Sequence, residues 1–250
     1  MFTSIVTLSL AALAAAAPSS KRQIIPNYPP TSQSRGFKLI ANVTDLSSDF
    51  NPSIRNWVVE GAHTGAGTNT AVLTPYDPAT NNGRTFYLNG TAEDVHYGNT
   101  HVLTDAGTPP APFGIYTQNK TEFEYLYPDE HGVSINVGAG TGTTVTRFPE
   151  PYAYILSGTG SGTYVACNNT VPYYGTTFIT LEYAYETFTG PDGGYEYNAN
   201  IPEGCAPVRL LPQCTELNEL PEDALSSHEF AANNTCYPDV ASIDWSQYGP

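Results

Sequence analysis

Gly36-Phe-Lys-Leu-Ile-Ala-Asn-Val-Thr44 is the stretch that decides the fold class. Phe37, Leu39, Ala41 and Val43 occupy every second position, and Lys38, Ile40 and Asn42 stand between them. A period of two puts alternate side chains on opposite faces of an extended chain, so this reads as a strand with one face turned to a core. The same grammar recurs downstream. Asn56–Glu60, Thr70–Thr74, Arg84–Leu88, His101–Thr104, Gly114–Thr117, Glu122–Tyr127, Val133–Val137, Tyr152–Leu156, Gly162–Cys167 and Thr176–Tyr185 are rich in Val, Ile, Thr, Tyr and Phe, and all read as strands. Turn chemistry separates them: Asn81-Asn-Gly83, Asn89-Gly90, Asp105-Ala-Gly107, the glycine-rich Gly158–Gly162 and Asp192-Gly-Gly194. His63-Thr-Gly-Ala-Gly67 looks superficially like a phosphate loop. It lacks the Lys-Ser/Thr pair and the following helix, so it reads as a hairpin turn.

Short strands with no helices between them predict an all-β, antiparallel fold, because parallel neighbours would need long crossovers. A β-sandwich is the first expectation for how the sheet closes, with a β-trefoil or a closed barrel as alternatives. One short C-terminal helix is predicted over Pro221–Asn233, where Pro221 suits the first helical position and Glu222 and Asp223 the first turn. Leu225, His228 and Ala232 would share one of its faces.

Working outward to the termini, Ile5–Ala17 is apolar and ends in alanines, which predicts a signal peptide over residues 1–17. Lys21-Arg22 then predicts a propeptide over 18–22 and a mature start at Gln23. Residues 23–35 are rich in proline and polar groups and read as an extended leader, 36–240 as a single all-β domain and 241–250 as a polar tail. The expected location is extracellular or in a cell wall. Four cysteines, Cys167, Cys205, Cys214 and Cys236, fit an oxidising compartment and two disulfides. Of the three connectivities, Cys167–Cys205 with Cys214–Cys236 is favoured, closing loops of about 20 to 40 residues worth roughly 3–4 kcal/mol each.

The formal net charge is −15 before any cleavage, and processing after Arg22 removes two more positive charges. Such a chain repels nucleic acid and anionic membrane surfaces, so neither is an expected partner. No cofactor or metal is expected: there is no Cys-x-x-Cys, and His63, His96, His101, His131 and His228 show no ligand spacing. Nor is there a Gly-x-Ser-x-Gly nucleophile elbow. Paired carboxylates are the enzymatic alternative, since glycosidases work with two acids on a concave surface. The candidate pairs are Glu122 with Glu124, Asp129 with Glu130, and Glu182 with Glu186.

Tyrosines point instead to binding. Tyr173, Tyr174, Tyr183, Tyr185, Tyr195 and Tyr197 cluster in a short segment. On a sheet face, their rings could stack on sugars while their hydroxyls form hydrogen bonds. Five N-glycosylation sequons begin at Asn42, Asn89, Asn119, Asn168 and Asn233. In the first strand Asn42 falls on the face opposite Leu39 and Val43.

Ser34-Arg-Gly-Phe-Lys-Leu-Ile-Ala-Asn-Val-Thr-Asp45, Phe86-Tyr-Leu-Asn-Gly-Thr91, Gly162-Thr-Tyr-Val-Ala-Cys167, Leu181-Glu-Tyr183 and Pro202-Glu-Gly-Cys-Ala-Pro-Val-Arg-Leu210 together resemble a group of small secreted proteins of filamentous fungi. Its members carry an uncharacterised domain, and some are labelled IgE-binding proteins or allergens. In layout the chain is more distantly similar to the fungal cell-wall protein of phialide development. The resemblance covers residues 34 to about 215 and brings no agreed activity and no catalytic residues. Taken together, the expectation is a secreted, glycosylated, non-enzymatic surface protein that binds cell-wall carbohydrate. A polysaccharide hydrolase, or an effector or inhibitor that binds another protein, is the alternative.

Overall fold

The computed structural model describes residues 28–119, 131–146, 152–190 and 196–248. The expected signal peptide and propeptide, most of the leader, the strand expected at Glu122–Tyr127 and Tyr195 lie outside the described residues.

The chain is nearly all β, as its alternation predicts. In order, its strands are β1 (Ser32–Ser34), β2 (Gly36–Val43), β3 (Val58–Gly65), β4 (Thr68–Thr74), β5 (Phe86–Asn89), β6 (His101–Ala106), β7 (Ala111–Thr117), β8 (His131–Val137), β9 (Thr144–Val145), β10 (Ile155–Leu156), β11 (Gly162–Val171), β12 (Thr176–Thr189), β13 (Glu196–Ala199), β14 (Ala206–Thr215), β15 (Ala231–Ala232) and β16 (Asn234–Cys236). Every named strand pair is antiparallel, and of the three closures open to the sequence the chain takes the barrel, with nine strands. The ring runs β2-β5-β6-β7-β8-β4-β12-β11-β14 and returns to β2. β3 lies between β2 and β4 in the same sheet and pairs with both.

Closure depends on two strands that serve several neighbours. β2 pairs along its whole length with β14, and its other edge meets β5 at Gly36 and Phe37 and β3 at Ile40. The expectation of one open face is therefore corrected, because every residue of β2 is buried. Lys38 is among them. Its ammonium reaches the Gly83 carbonyl at 3.2 Å, and burial pulls its pKa down against the opposing pull of Glu60. β12 is 14 residues long and divides its edge. Ile179 and Thr180 pair with β4, and Glu182 and Tyr183 pair with β8. Inside the ring the core is aliphatic and aromatic, including Phe37, Leu39, Phe86, Ile115, Ile135, Leu181 and Leu210.

No helix forms over 221–233. Leu225 is 71 % exposed, so the apolar face predicted for that helix has nothing to pack on. The segment instead runs as a strap across the barrel. Leu225 and Ser226 donate to the Pro110 carbonyl, Arg35 donates to the carbonyls of His228 and Ala231, and His228 Nε2 meets Asp105 at 2.8 Å. β15 and β16 then demand extended backbone, which a helix could not supply. The helical turns lie elsewhere: α1 (Ala92–Tyr97), and single 3-10 turns at Leu46–Ser48 and Trp245–Gln247. α1 is capped at both ends, by a Thr91–Asp94 capping box and by Gly98 at φ 77°. Disulfides join Cys167 to Cys205 and Cys214 to Cys236. The first pins the loop before β14 against the outer face of β11 and β12, and the second ties the strap to β14.

Candidate functional site

Where β12 leaves β4 for β8, the outer surface of the barrel sinks into a groove of about 880 Å³. Its floor is set by strand alternation. Leu181 and Tyr183 point inward, so Thr180 and Glu182 point out. Gly132 lies opposite Glu182, and a Cβ there would be in ordinary contact with Glu182 Oε2 and the Gln118 amide oxygen, each at 3.6 Å. The Asn169 amide donates to Thr180 Oγ1 at 3.2 Å and reaches Glu182 Oε1 at 3.5 Å. Thr70, Ser134, Thr141 and Thr159 add hydroxyls, and Tyr116 adds a ring. The lining is therefore mostly neutral donors and acceptors, with one carboxylate only 8 % exposed.

Thr170, Val171 and Pro172 carry one wall of the groove to the β11–β12 hairpin tip. There Tyr173 and Tyr174 are 60 % and 44 % exposed. Their rings meet at 5.2 Å, Tyr174 meets Phe178 at 5.2 Å, and Tyr173 meets His63 of β3 at 5.8 Å. Phe178 shares a strand face with Thr180 and Glu182, so the aromatic tip prolongs the groove along one side of β12.

The predicted tyrosine cluster therefore divides. Tyr173 and Tyr174 are available to a ligand. Tyr183 and Tyr185 are core residues, 3 % and 5 % exposed, because they sit on the inward phase of β12. They form an edge-to-face chain with Tyr164 on one side and His131 on the other, at 5.0, 4.9 and 4.7 Å between rings. Tyr183 donates to the Gly160 carbonyl at 2.8 Å, and Tyr185 Oη lies 2.9 Å from the Gln118 carbonyl and 2.7 Å from Thr159 Oγ1. Burial raises the pKa of Tyr183 and pushes that of Tyr164 up to about 12. Tyr197 pairs its backbone with Phe188 in the β12–β13 hairpin.

The carboxylate pairs fare unevenly. Glu122, Glu124, Asp129 and Glu130 lie outside the described residues. Glu182 and Glu186 do not face each other across one cleft. Glu182 lines the groove, whereas Glu186 opens with Arg209, Tyr154 and Tyr183 into a separate cleft of about 260 Å³. Among the described residues no three His, Cys, Asp or Glu side chains gather as a metal site. Of the sequon asparagines, Asn119, Asn168 and Asn233 are exposed, Asn89 is half-buried and Asn42 is buried. The groove itself was missed in the sequence. Its residues come from β4, β7, β8, β11 and β12, and only the strand branching brings them together.

Residues 34–214 match the family described as Domain of unknown function (DUF7907). The chain belongs to this family. It is also 45 % identical over 241 residues to Antigenic protein SchS34 of Stachybotrys chartarum, an alignment covering 94 % of this chain and 100 % of that protein. No solved structure matches. The DUF7907 match begins in β1 and ends at Cys214 in β14, so it holds the whole barrel ring, the groove and the aromatic hairpin. The strap and the C-terminal 3-10 turn lie beyond it.

Proposed function

We propose that this DUF7907 protein is a secreted, glycosylated, non-enzymatic protein of the fungal surface that binds cell-wall polysaccharide through the groove and the Tyr173–Tyr174 tip. The observation that carries this reading is the continuity of the two. A neutral, hydroxyl- and amide-lined trough runs into exposed rings on the same face of β12. Sugars present hydroxyls at their edges and C–H surfaces on their faces, and such a site meets both. An antigenic relative and two disulfides support an extracellular setting.

The test is sedimentation with insoluble fungal wall polysaccharide. The full chain should co-sediment, and Tyr173→Ala and Tyr174→Ala should each weaken binding about fivefold, equivalent to roughly 1 kcal/mol per aromatic contact. Reducing-sugar release should stay at background. Steady hydrolysis abolished by Glu182→Gln would replace this reading with the hydrolase, for which the buried groove carboxylate is the one supporting observation.

A further inference from the structure

On another side of the barrel, the C-terminal 3-10 turn stands over the end of β2 and leaves a cleft of about 320 Å³. Asn42, Thr44, Leu46, Arg55, Asp244 and Trp245 line it. Its walls are fixed. Asp244 caps the turn, accepting from the Ser246 hydroxyl at 2.6 Å, from the Gln247 amide at 2.9 Å and from the Ser246 backbone N–H at 3.2 Å, and these bonds hold its carboxyl below the usual range. Trp245 Nε1 donates to the Val240 carbonyl at 3.4 Å, and its ring abuts Tyr237 edge-on at 5.4 Å. Leu46 adds apolar surface, 64 % exposed.

Asn42 is the anomaly in this cleft. It is only 9 % exposed, yet among the described residues its side-chain amide has no hydrogen-bond partner. Asn42 is not among the side chains whose polar atoms are sealed from solvent, and it faces the cleft. It also opens the sequon Asn42-Val-Thr44. Thr44 Oγ1 lies beside it in the cleft, 3.3 Å from the Pro207 carbonyl.

We propose that Asn42 carries an N-linked glycan whose first sugar sits in this cleft against Trp245. In the modification, Nδ2 attacks the anomeric carbon of a glycosyl diphosphate-lipid donor. The N–C1 bond forms, the C1–O bond breaks, the lipid diphosphate leaves with the electron pair, and Nδ2 releases one proton. The attached sugar then offers a C–H face to the indole and hydroxyls to Arg55 and Asp244. The DUF7907 match holds Asn42, Thr44, Leu46 and Arg55 but stops before Asp244 and Trp245, so only the C-terminal wall of the cleft lies outside the matched region.

The experiment uses the full chain secreted from a eukaryotic host. Enzymatic release of N-glycans converts an occupied Asn to Asp, and peptide mapping reads the conversion. Asn42 should convert in most molecules. Unconverted Asn42 in chains whose exposed Asn168 has converted would overturn the proposal. Seating is read on the same folded protein before and after release. Tryptophan emission should shift and the melting temperature should fall by about 2–4 °C, the response of a domain of this size to the loss of one good contact. With Trp245→Phe, Trp57 alone reports, and the emission shift should vanish. An unchanged emission in the native chain, or a shift that survives Trp245→Phe, would place the sugar outside the cleft.

Discussion

Tyr164 and Tyr185 show how differently two buried hydroxyls can matter. The hydroxyls of Thr117, Thr143 and Ser157 surround Tyr164 Oη, yet it meets none of them in hydrogen-bonding geometry. Tyr185 Oη has close oxygen partners on two segments. Tyr164→Phe should therefore be neutral or slightly stabilising, whereas Tyr185→Phe should cost about 1–2 kcal/mol in denaturant unfolding, since it leaves the Gln118 carbonyl and Thr159 without that bond. Gly114 is a second test at this scale. A Cβ there would lie 2.4 Å from the backbone of Ala139 and of Gly140, neither of which can rotate aside. Gly114→Ala should lower stability by about 1–3 kcal/mol, the usual range for overpacking.

Among the elements, the strap after β14 owes its place to single attachments rather than to a packed face. The Cys214–Cys236 bond spans 22 residues, and the chain-entropy account assigns such a loop about 3 kcal/mol. Replacing both cysteines with serine should remove about that much. It should also expose the segment around Leu225 to proteases while the barrel still gives a β-type circular dichroism spectrum. The same region marks where the sequence ceases to be legible. Pro221, Glu222 and Asp223 make a good helix start, but local propensity is outweighed by the Asp105–His228 contact, Arg35 and the disulfide. β14 was unreadable for another reason. Pro207 and Pro212 argue against a central strand, yet both use their carbonyls, which accept from Thr44 and Tyr237. α1 could have been found, since Thr91-Ala-Glu-Asp94 with Gly98 carries both cap signals. The strands were legible because apolar and β-branched residues recur in them with a period of two, although burial follows that period in β8 and not in β2, which is covered on both faces. Tyr183 and Tyr185 were placed on the wrong side because that period does not reveal which phase faces inward.

Charge acts on the molecule as a whole. With a formal net charge of −15 the folded chain repels itself, and added salt should raise its melting temperature by screening. Acid works through named carboxylates. Thr91 holds Asp94, and serine hydroxyls hold Asp45 and Asp244, below the ordinary aspartate range. A carboxyl whose folded pKa is depressed adds stability that is complete above its unfolded value of about 3.9, and loses it as pH falls through the lower folded value. Melting temperature should therefore hold through neutral pH and drop below about pH 4, and Asp94→Asn should flatten part of that drop. The ring closure has a further consequence, measured in time. β2 is among the first strands to leave the ribosome, but Asn42 finds its cross-strand neighbour Arg209 only after about 170 more residues, which take on the order of 10–30 s at usual synthesis rates. Throughout that interval the Asn42 sequon hangs on an unpaired, solvated strand. Of the five sequon asparagines, the one buried in the finished barrel wall is thus the first that a modifying enzyme meets.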